Sequence, residues 1–579
     1  MIKENYFEKN EDLLEHFEHL VDWDLIVGLY EDDFSDFREY QKTKNPRLEM
    51  APGSISEAKN FYREILSSVG DISGNYVSQV AGEIDRIGLK FESGQVTHPE
   101  PMVEMIKKYQ EAGLVAVAFQ RRYGGLGLPN IMKAFVSEIM YRSDSSITIA
   151  AGSMGLASIL EKVASEEMRE RWIPKIIEQN YTATMGLSEP DYGSDLPEIK
   201  TKAELKDGIW YLTGNKRYQT VACGINGGPS MTLVLARTGS PGSGARGLSF
   251  FLAEGKDYEI TGLEKKLGIK ASATCEVAYE NTPAELVGQV GYGLVKYVMG
   301  MLNGARLSVS SQGTGISTAA FREAEKYAKE RIQFGKPIIE IPAVKKMLNW
   351  MERETAAMRC LMIEAAGSVD KYQWTQDRNL EKDSRLAKET KFWEKVANTL
   401  TPISKYYNSE TCIQVVNTGL QVLGGAGFTE DYDLARLYRD ARITNIYDGT
   451  TQIQVNAAIG GIVAGMGSNG VFREYLDRLE EECKRFSENS ETHSTSELLK
   501  MKSILSEIVE SYKTHERDQK DMLSFEVVES AARVILSLLM ERAALQSKSE
   551  LSSKRREWAN AFHRDTLARL HANQVLLSV

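Results

Sequence analysis

The chain has 579 residues, room for three or four domains, and its 42% hydrophobic and 26% charged residues are ordinary for a globular protein. Its net charge of −11 is concentrated at the start: residues 1–40 hold 13 acidic side chains against Lys3, Lys9 and Arg38, and the remainder is nearly neutral. That balance disfavours nucleic acid as a partner, since phosphate binding needs a basic face.

No basic start with an apolar run marks a secretory signal, and no stretch approaches the ~20 apolar residues of a membrane span. The five cysteines (Cys223, Cys275, Cys360, Cys412, Cys483) show no CxxC pairing, which argues against a disulfide framework or a zinc cluster and fits a reducing cytoplasm. None of the seven histidines lies between residues 99 and 492. Chemistry in that stretch therefore uses no imidazole, which removes Ser/His/Asp and Cys/His hydrolases and most zinc sites; no metal is expected.

In chain order, residues 1–53 form an acidic N-terminal extension that reads as a solvated helical arm, ahead of the alternative of a docking surface. Residues 54–180 read as an N-terminal helical domain, with apolar residues three and four apart over 56–69, 101–112 and 131–143. Residues 181–290 change character to short strands between turns, including 210–213, 231–236 and 248–252, with 239–247 as a hairpin loop. Helical periodicity returns over 291–466, notably 306–331 and 342–369. Gly467-Ser468-Asn469-Gly470 then opens a further helical domain over 467–579, with polar breaks at 487–496 and 547–553. Segregated helices and strands indicate an α+β fold rather than alternating βαβ. No GxxxxGK[ST] loop is present, and the glycines at 291 and 293, or at 424, 425 and 427, do not form GxGxxG between a strand and a helix, so a nucleotide cofactor would not sit on a Rossmann fold.

Four stretches carry chemistry. The first is Met185-Gly186-Leu187-Ser188-Glu189-Pro190-Asp191-Tyr192-Gly193-Ser194-Asp195, a hydroxyl and backbone groups at a Glu-Pro bend. The second, Trp210-Tyr211-Leu212-Thr213-Gly214-Asn215-Lys216, is a strand with an aromatic and a hydroxyl. The third, Arg331-Ile332-Gln333-Phe334-Gly335-Lys336-Pro337-Ile338, joins a guanidinium fork suited to a diphosphate with a glycine that lets backbone come close. The fourth comprises Gln421-Val422-Leu423-Gly424-Gly425-Ala426-Gly427-Phe428 and residues 442–454, which include Ile446-Tyr447-Asp448-Gly449-Thr450-Thr451-Gln452.

In order and spacing, over about residues 60–465, these stretches resemble the acyl-CoA dehydrogenase family, in its large form with a C-terminal helical extension. The resemblance implies an N-terminal helical domain, a β-barrel-like middle domain, a C-terminal four-helix bundle and an extra helical domain. It also implies FAD as cofactor, an acyl-CoA substrate, an electron-transfer flavoprotein as acceptor, and a homodimer or homotetramer. By the same resemblance Met185, Leu187 and Ser188 contact the flavin, Tyr211 stacks on it and Thr213 bonds near N5. Arg331, Gln333, Phe334, Gln421, Gly424 and Gly425 meet the FAD of the neighbouring subunit, and Thr450 and Gln452 also contact cofactor. Ser194, Arg306 and Tyr447 face substrate.

Asp448 is the expected base for the α-proton, with Gly449 allowing close backbone approach beside the thioester oxygen. Family members that carry the acid just before the helix arginine have it at the position of Ala305 here, which closes that alternative. Oxidation of an acyl thioester needs an electron sink that no side chain supplies. It also needs a carboxylate raised by burial and fixed donors for the enolate-like oxygen. The base is one methylene shorter than the family's usual Glu, and its resemblance to family members with Asp there, which act on alicyclic acyl-CoA, implies a cyclic or branched acyl group. Arg121 and Arg122 read as a solvated pair, with contact to a polar acyl terminus as the other reading. An acyl-CoA oxidase and a non-catalytic flavoprotein on the same scaffold are the competing functions.

Overall fold

The computed structural model describes residues 1–376, 384–487 and 493–578, so residues 488–492 of the polar break over 487–496 lie outside the described residues. Two compact units emerge. The first comprises 1–6, 34–128 and 139–305, and the second 7–33, 129–138 and 306–579.

In the first unit, the helix Ile55–Ile72 starts where Ser54 accepts a hydrogen bond from Glu57 N at 3.2 Å, and it buries Ala58, Tyr62, Ile65, Leu66 and Val69 along one face. The helix Glu100–Glu111 follows Pro99 and buries Met102, Met105, Ile106 and Tyr109. Between them lies a hairpin, Lys90–Glu92 with Gln95–Thr97, inside a stretch that the periodicity reads as helical. Ser93 and Gly94 turn it with φ of 51° and 78°, and the Ser-Gly pair is the signal for that turn. Arg121 is neither solvated nor aimed at a ligand: it is 3% exposed, donates to the Gly127 carbonyl at 3.3 Å and pairs with Asp36.

The strands of this unit are β1 (Thr182–Gly186), β2 (Lys202–Lys206), β3 (Ile209–Thr220), β4 (Ser230–Arg237), β5 (Leu248–Glu254), β6 (Glu259–Leu263) and β7 (Thr274–Leu286). Their order is β1-β4-β2-β3-β7-β5, with β6 also on β7 and β5 returning to pair with β4, so the path closes into a small barrel. β4 and β5 form the hairpin expected around 239–247, and their residues are buried almost throughout.

The second unit is helical. Its long elements are α1 (Met299–Glu330, belonging here from Arg306), α2 (Pro342–Gln376), α3 (Arg385–Leu423) and α4 (Thr451–Gly465). Beyond them come α5 (Val471–Phe486), α6 (His493–Thr514), α7 (Arg517–Gln546) and α8 (Ser552–Leu576). The C-terminal helices pack on the bundle. In α7, Val527, Val528, Ala531, Ile535, Leu538 and Leu539 are buried, Phe525 meets Tyr406 of α3 edge-on, and Arg542 pairs with Glu364 of α2 at 2.7 Å.

The acidic N-terminal arm is only partly solvated, since Asp12, Glu15 and Glu31 are buried. Asp12 is buried between Arg359 and Arg555, and Arg359 also grips Glu138 through Nε at 3.0 Å to each carboxylate oxygen. Ser547 Oγ donates to Glu15 at 2.7 Å, and Trp23 donates to the Phe17 carbonyl at 2.6 Å. Residues 7–33 of the arm are therefore part of the second unit, where the buried Asp12 carboxylate meets two guanidiniums, while Glu11, Asp22, Asp24, Asp32 and Asp33 stay exposed.

Candidate active site

The loop carrying Asp448 leads into α4, whose N-cap is Thr450. Asp448 and Gly449 both adopt left-handed backbone, with φ of 53° and 91°. Asp tolerates that conformation and Gly adopts it without strain, which is why an Asp-Gly pair can make this turn. A Cβ at Gly449 would also lie 2.7 Å from Gln454 Nε2 and 3.0 Å from Ile453 Cγ2, so a side chain here would strain the backbone and push on the Gln454 amide. The loop is held by its carbonyls. Gln454 Nε2 donates to Asp448 O at 3.0 Å and Gly449 O at 2.8 Å, and Lys405 Nζ donates to Gly449 O at 2.7 Å.

The Asp448 side chain is half-buried. Burial pushes its carboxyl above the usual carboxylate range, opposed by the charges of Lys405 and Arg306. Both cations are buried. Burial brings Lys405 down to about 8 against the pull of Asp448 and Glu410, and lowers Arg306 against the pull of Asp448. Tyr447, half-buried, donates from its hydroxyl to the buried Gln312 of α1. The second unit thus places Arg306, Tyr447, Asp448 and Gly449 around one loop, and adds Lys405. Sequence reasoning missed that lysine, since nothing in its local pattern marks it as buried.

In the first unit, the bend after β1 is built on Glu189. Its buried carboxylate accepts from Lys200 N at 2.7 Å, Thr201 N at 2.8 Å and Lys216 Nζ at 3.0 Å. Lys216, also fully buried, donates to the Leu187 carbonyl at 2.8 Å, and Arg217 N donates to the Ser188 carbonyl at 3.0 Å. Glu189 is thus the internal anchor that leaves Met185, Leu187 and Ser188 half-exposed, while Ser194 lies out on the surface.

Tyr211 and Thr213 are not at this bend. They pair with Glu204 and Lys202 of β2, and Tyr211 lies six residues along β3 from the Arg217–Ser188 bond, about 20 Å at strand rise. The aromatic and hydroxyl that follow the Ser188-bonded Arg217 along β3 are Tyr218 and Thr220. β3 bulges between Lys216 and Gln219, and Tyr218 is turned out there with φ of 59° and 56% exposure. Positive φ is uncommon for an aromatic residue, and such strain clusters at functional sites. The repeated Tyr-x-Thr pattern at 218–220 was the available signal.

The remaining predicted positions lie at the surface of the second unit. Ile332–Gln333 and Lys336–Pro337 form a hairpin on which Arg331 and Gln333 are exposed and Phe334 is 92% exposed, with φ of 53°. Gln421, Gly424 and Gly425 are exposed at the end of α3, beside Phe428 at 96%. Thr450 is exposed, and Gln452 donates to Asn456 at 3.0 Å and Ser524 at 3.1 Å.

These residues fit FAD by type: an outward aromatic with adjacent hydroxyls for a ring system, and an exposed guanidinium with open glycines for a diphosphate. A Cβ at Gly424 or Gly425 would meet nothing within 4 Å, so both leave room for a bound group to approach backbone.

The models of the acyl-CoA dehydrogenase N-terminal, middle and C-terminal domains match residues 62–180, 184–282 and 295–462. The chain is 30% identical over 472 residues to 3-methylmercaptopropionyl-CoA dehydrogenase of Ruegeria pomeroyi, covering 78% of this chain and 75% of that one. It is 30% identical over 421 residues to an NADH-dependent acryloyl-CoA reductase of Anaerotignum propionicum, covering 71% and 96%. The crystal structure of an acyl-CoA dehydrogenase complexed with FAD from Bacillus anthracis matches with a TM-score of 0.74 at 21% identity. That match covers 90% of this chain and 88% of that one, so the fold extends through the C-terminal helices. The chain belongs to the acyl-CoA dehydrogenase family of FAD-dependent oxidoreductases.

Proposed function

We propose that the protein oxidises an acyl-CoA thioester to its α,β-enoyl form, with Asp448 as the base that removes the α-proton. The observation that supports this best is the Asp448 setting: a half-buried carboxylate with raised proton affinity, on a loop fixed through backbone carbonyls rather than through the carboxylate itself. Such a group accepts a proton without unmaking the loop that presents it. Bound FAD supplies the acceptor for the β-hydride. The Asp448 backbone N–H is the donor for the thioester oxygen, and Gly449 permits the close approach. Arg306 and Tyr447 orient the acyl end, and Ser194 lies along the CoA chain. The short acid leaves space for a cyclic or branched acyl group.

Met185, Leu187 and Ser188 bind the flavin, and Tyr218 with Thr220 takes the role first expected of Tyr211 and Thr213. Arg331, Gln333, Phe334, Gln421, Gly424 and Gly425 reach the FAD of a second subunit, while Thr450 and Gln452 line the cofactor near the base. A homodimer or homotetramer follows, and the exposure of Phe334 and Phe428 in the single chain supports it. An electron-transfer flavoprotein is the proposed acceptor.

Anaerobic titration of the FAD-loaded protein with butyryl-, isobutyryl-, cyclohexanecarbonyl- and 3-methylmercaptopropionyl-CoA tests the reading by flavin absorbance. At least one should bleach the flavin, and no bleaching by any of them would overturn the proposal. Reoxidation of the reduced enzyme by air at turnover rates would favour an oxidase instead.

The flavin wall has its own test. Tyr218→Ala is expected to weaken FAD retention about three- to tenfold, the worth of one aromatic stacking contact. Tyr211→Ala should leave retention unchanged. Equal loss in both variants would reject the assignment; dialysis followed by flavin fluorescence measures it.

A further inference from the structure

Lys405 has no role in the function proposed so far, yet it occupies an unusual position. It projects from the middle of α3, a 39-residue helix, and is fully buried with its ammonium directed at the loop that bears Asp448. Burying a lysine is costly unless charge and hydrogen bonds compensate. Its hydrogen bond goes to the Gly449 carbonyl at 2.7 Å rather than to a carboxylate. The opposite charges that face it are Asp448 on the loop and Glu410 one turn further along α3, while Arg306 of α1 is the like charge nearby. Glu410 is itself engaged by Thr451 Oγ1 and by Asn445 Nδ2, which ties it to the segments on both sides of Asp448. Arg306 and Lys405 are also the two charged groups that act on Asp448.

We propose that Lys405 is a positioning residue for the base: its grip on Gly449 O fixes the Asp448–Gly449 backbone, and its buried ammonium places a positive charge beside the shortened acid. The proposal rests on the reading of Asp448 as the base. Two effects follow from one ammonium. Mechanically, Gly449 O receives Lys405 and Gln454 together, so the left-handed turn cannot relax and carry the carboxylate away. Electrostatically, a buried positive charge in a poorly screened surrounding favours the carboxylate over the acid. Because the ammonium bonds a carbonyl, it aids ionisation without occupying the oxygens that must receive the proton. Arg306 supplies the second positive charge from another helix, so removing Lys405 leaves a weakened rather than an uncharged site.

The test uses the full-length, FAD-loaded enzyme and variants Lys405→Met, Lys405→Gln, Lys405→Arg and Asp448→Asn. The readout is the single-turnover rate of anaerobic flavin bleaching from pH 5 to 9, driven by whichever of the four acyl-CoAs above bleaches the wild type most. In Lys405→Met the acid limb of the profile should move up by about one to two pH units and the plateau should fall. Lys405→Gln keeps a donor for Gly449 O but no charge, so its limb should move with a smaller plateau loss. Lys405→Arg keeps the charge, so its limb should stay in place. A purely structural lysine would lower the plateau or the FAD content and leave the limb where it is. Limbs of Lys405→Met and Lys405→Gln that coincide with wild type, while Asp448→Asn is inactive, overturn this inference alone. Wild-type bleaching in Asp448→Asn overturns the base reading and this inference with it.

Discussion

Asp448→Asn is expected to retain FAD and the wild-type fold and to lose flavin bleaching by about 10²- to 10⁴-fold, the scale of a general base. The amide matches the carboxylate in shape but accepts no α-proton. The loop should survive the change because Lys405 and Gln454 hold it by the Asp448 and Gly449 carbonyls. In the wild type the rate should fall as pH drops through the raised Asp448 pKa, since only the ionised form removes a proton. Asp448→Glu restores the length usual in the family and should keep measurable bleaching, with the preference shifted toward straight chains. Stopped-flow absorbance resolves all three cases, and undiminished bleaching in Asp448→Asn would remove the base assignment.

Asp12→Ala should be the most damaging substitution for stability in the N-terminal arm, by about 3–5 kcal/mol for the unit that contains it. The carboxylate pairs with both Arg359 and Arg555, so its loss leaves two buried guanidiniums short of a counter-charge. Those arginines, with a smaller contribution from His16, hold the Asp12 carboxyl well below the usual carboxylate range, although burial alone would raise it. The sign of the linkage follows. A depressed pKa stabilises the fold above the unfolded-state value near 4, and that contribution is lost as pH falls through the folded value. The wild type should therefore melt progressively lower on acidification below about pH 4, and Asp12→Ala should lose that part of the dependence. Thermal denaturation across pH measures both, and a variant melting with the wild type would show that the arm contributes nothing to stability.

The same arm shows why some of the protein could not be read from one dimension. Thirteen acids in forty residues look solvated because composition records charge and not partners, and the partners of Asp12 lie at positions 359 and 555. Lys405 is similar. One lysine in a 39-residue helix carries no local mark of burial, and only the packing of α1, α3 and the 442–450 loop makes it a neighbour of the base.

What the sequence determined by itself was local and periodic. Helical spacing marked the bundle helices, β-formers and a Gly/Ser-rich loop marked the β4–β5 hairpin, and the Asp-Gly pair marked a turn able to carry an acid. The tertiary structure decided the rest. Tyr211-Leu212-Thr213 and Tyr218-Gln219-Thr220 share one Tyr-x-Thr spelling on a single strand, and spelling alone does not say which of them meets the bend. A bulge and the pairing with neighbouring segments choose between them: Arg217 is bonded to Ser188, so Tyr218 and not Tyr211 stands at the bend. Register is a long-range property, set by which backbone groups find partners across the sheet, and it is settled only when the chain folds.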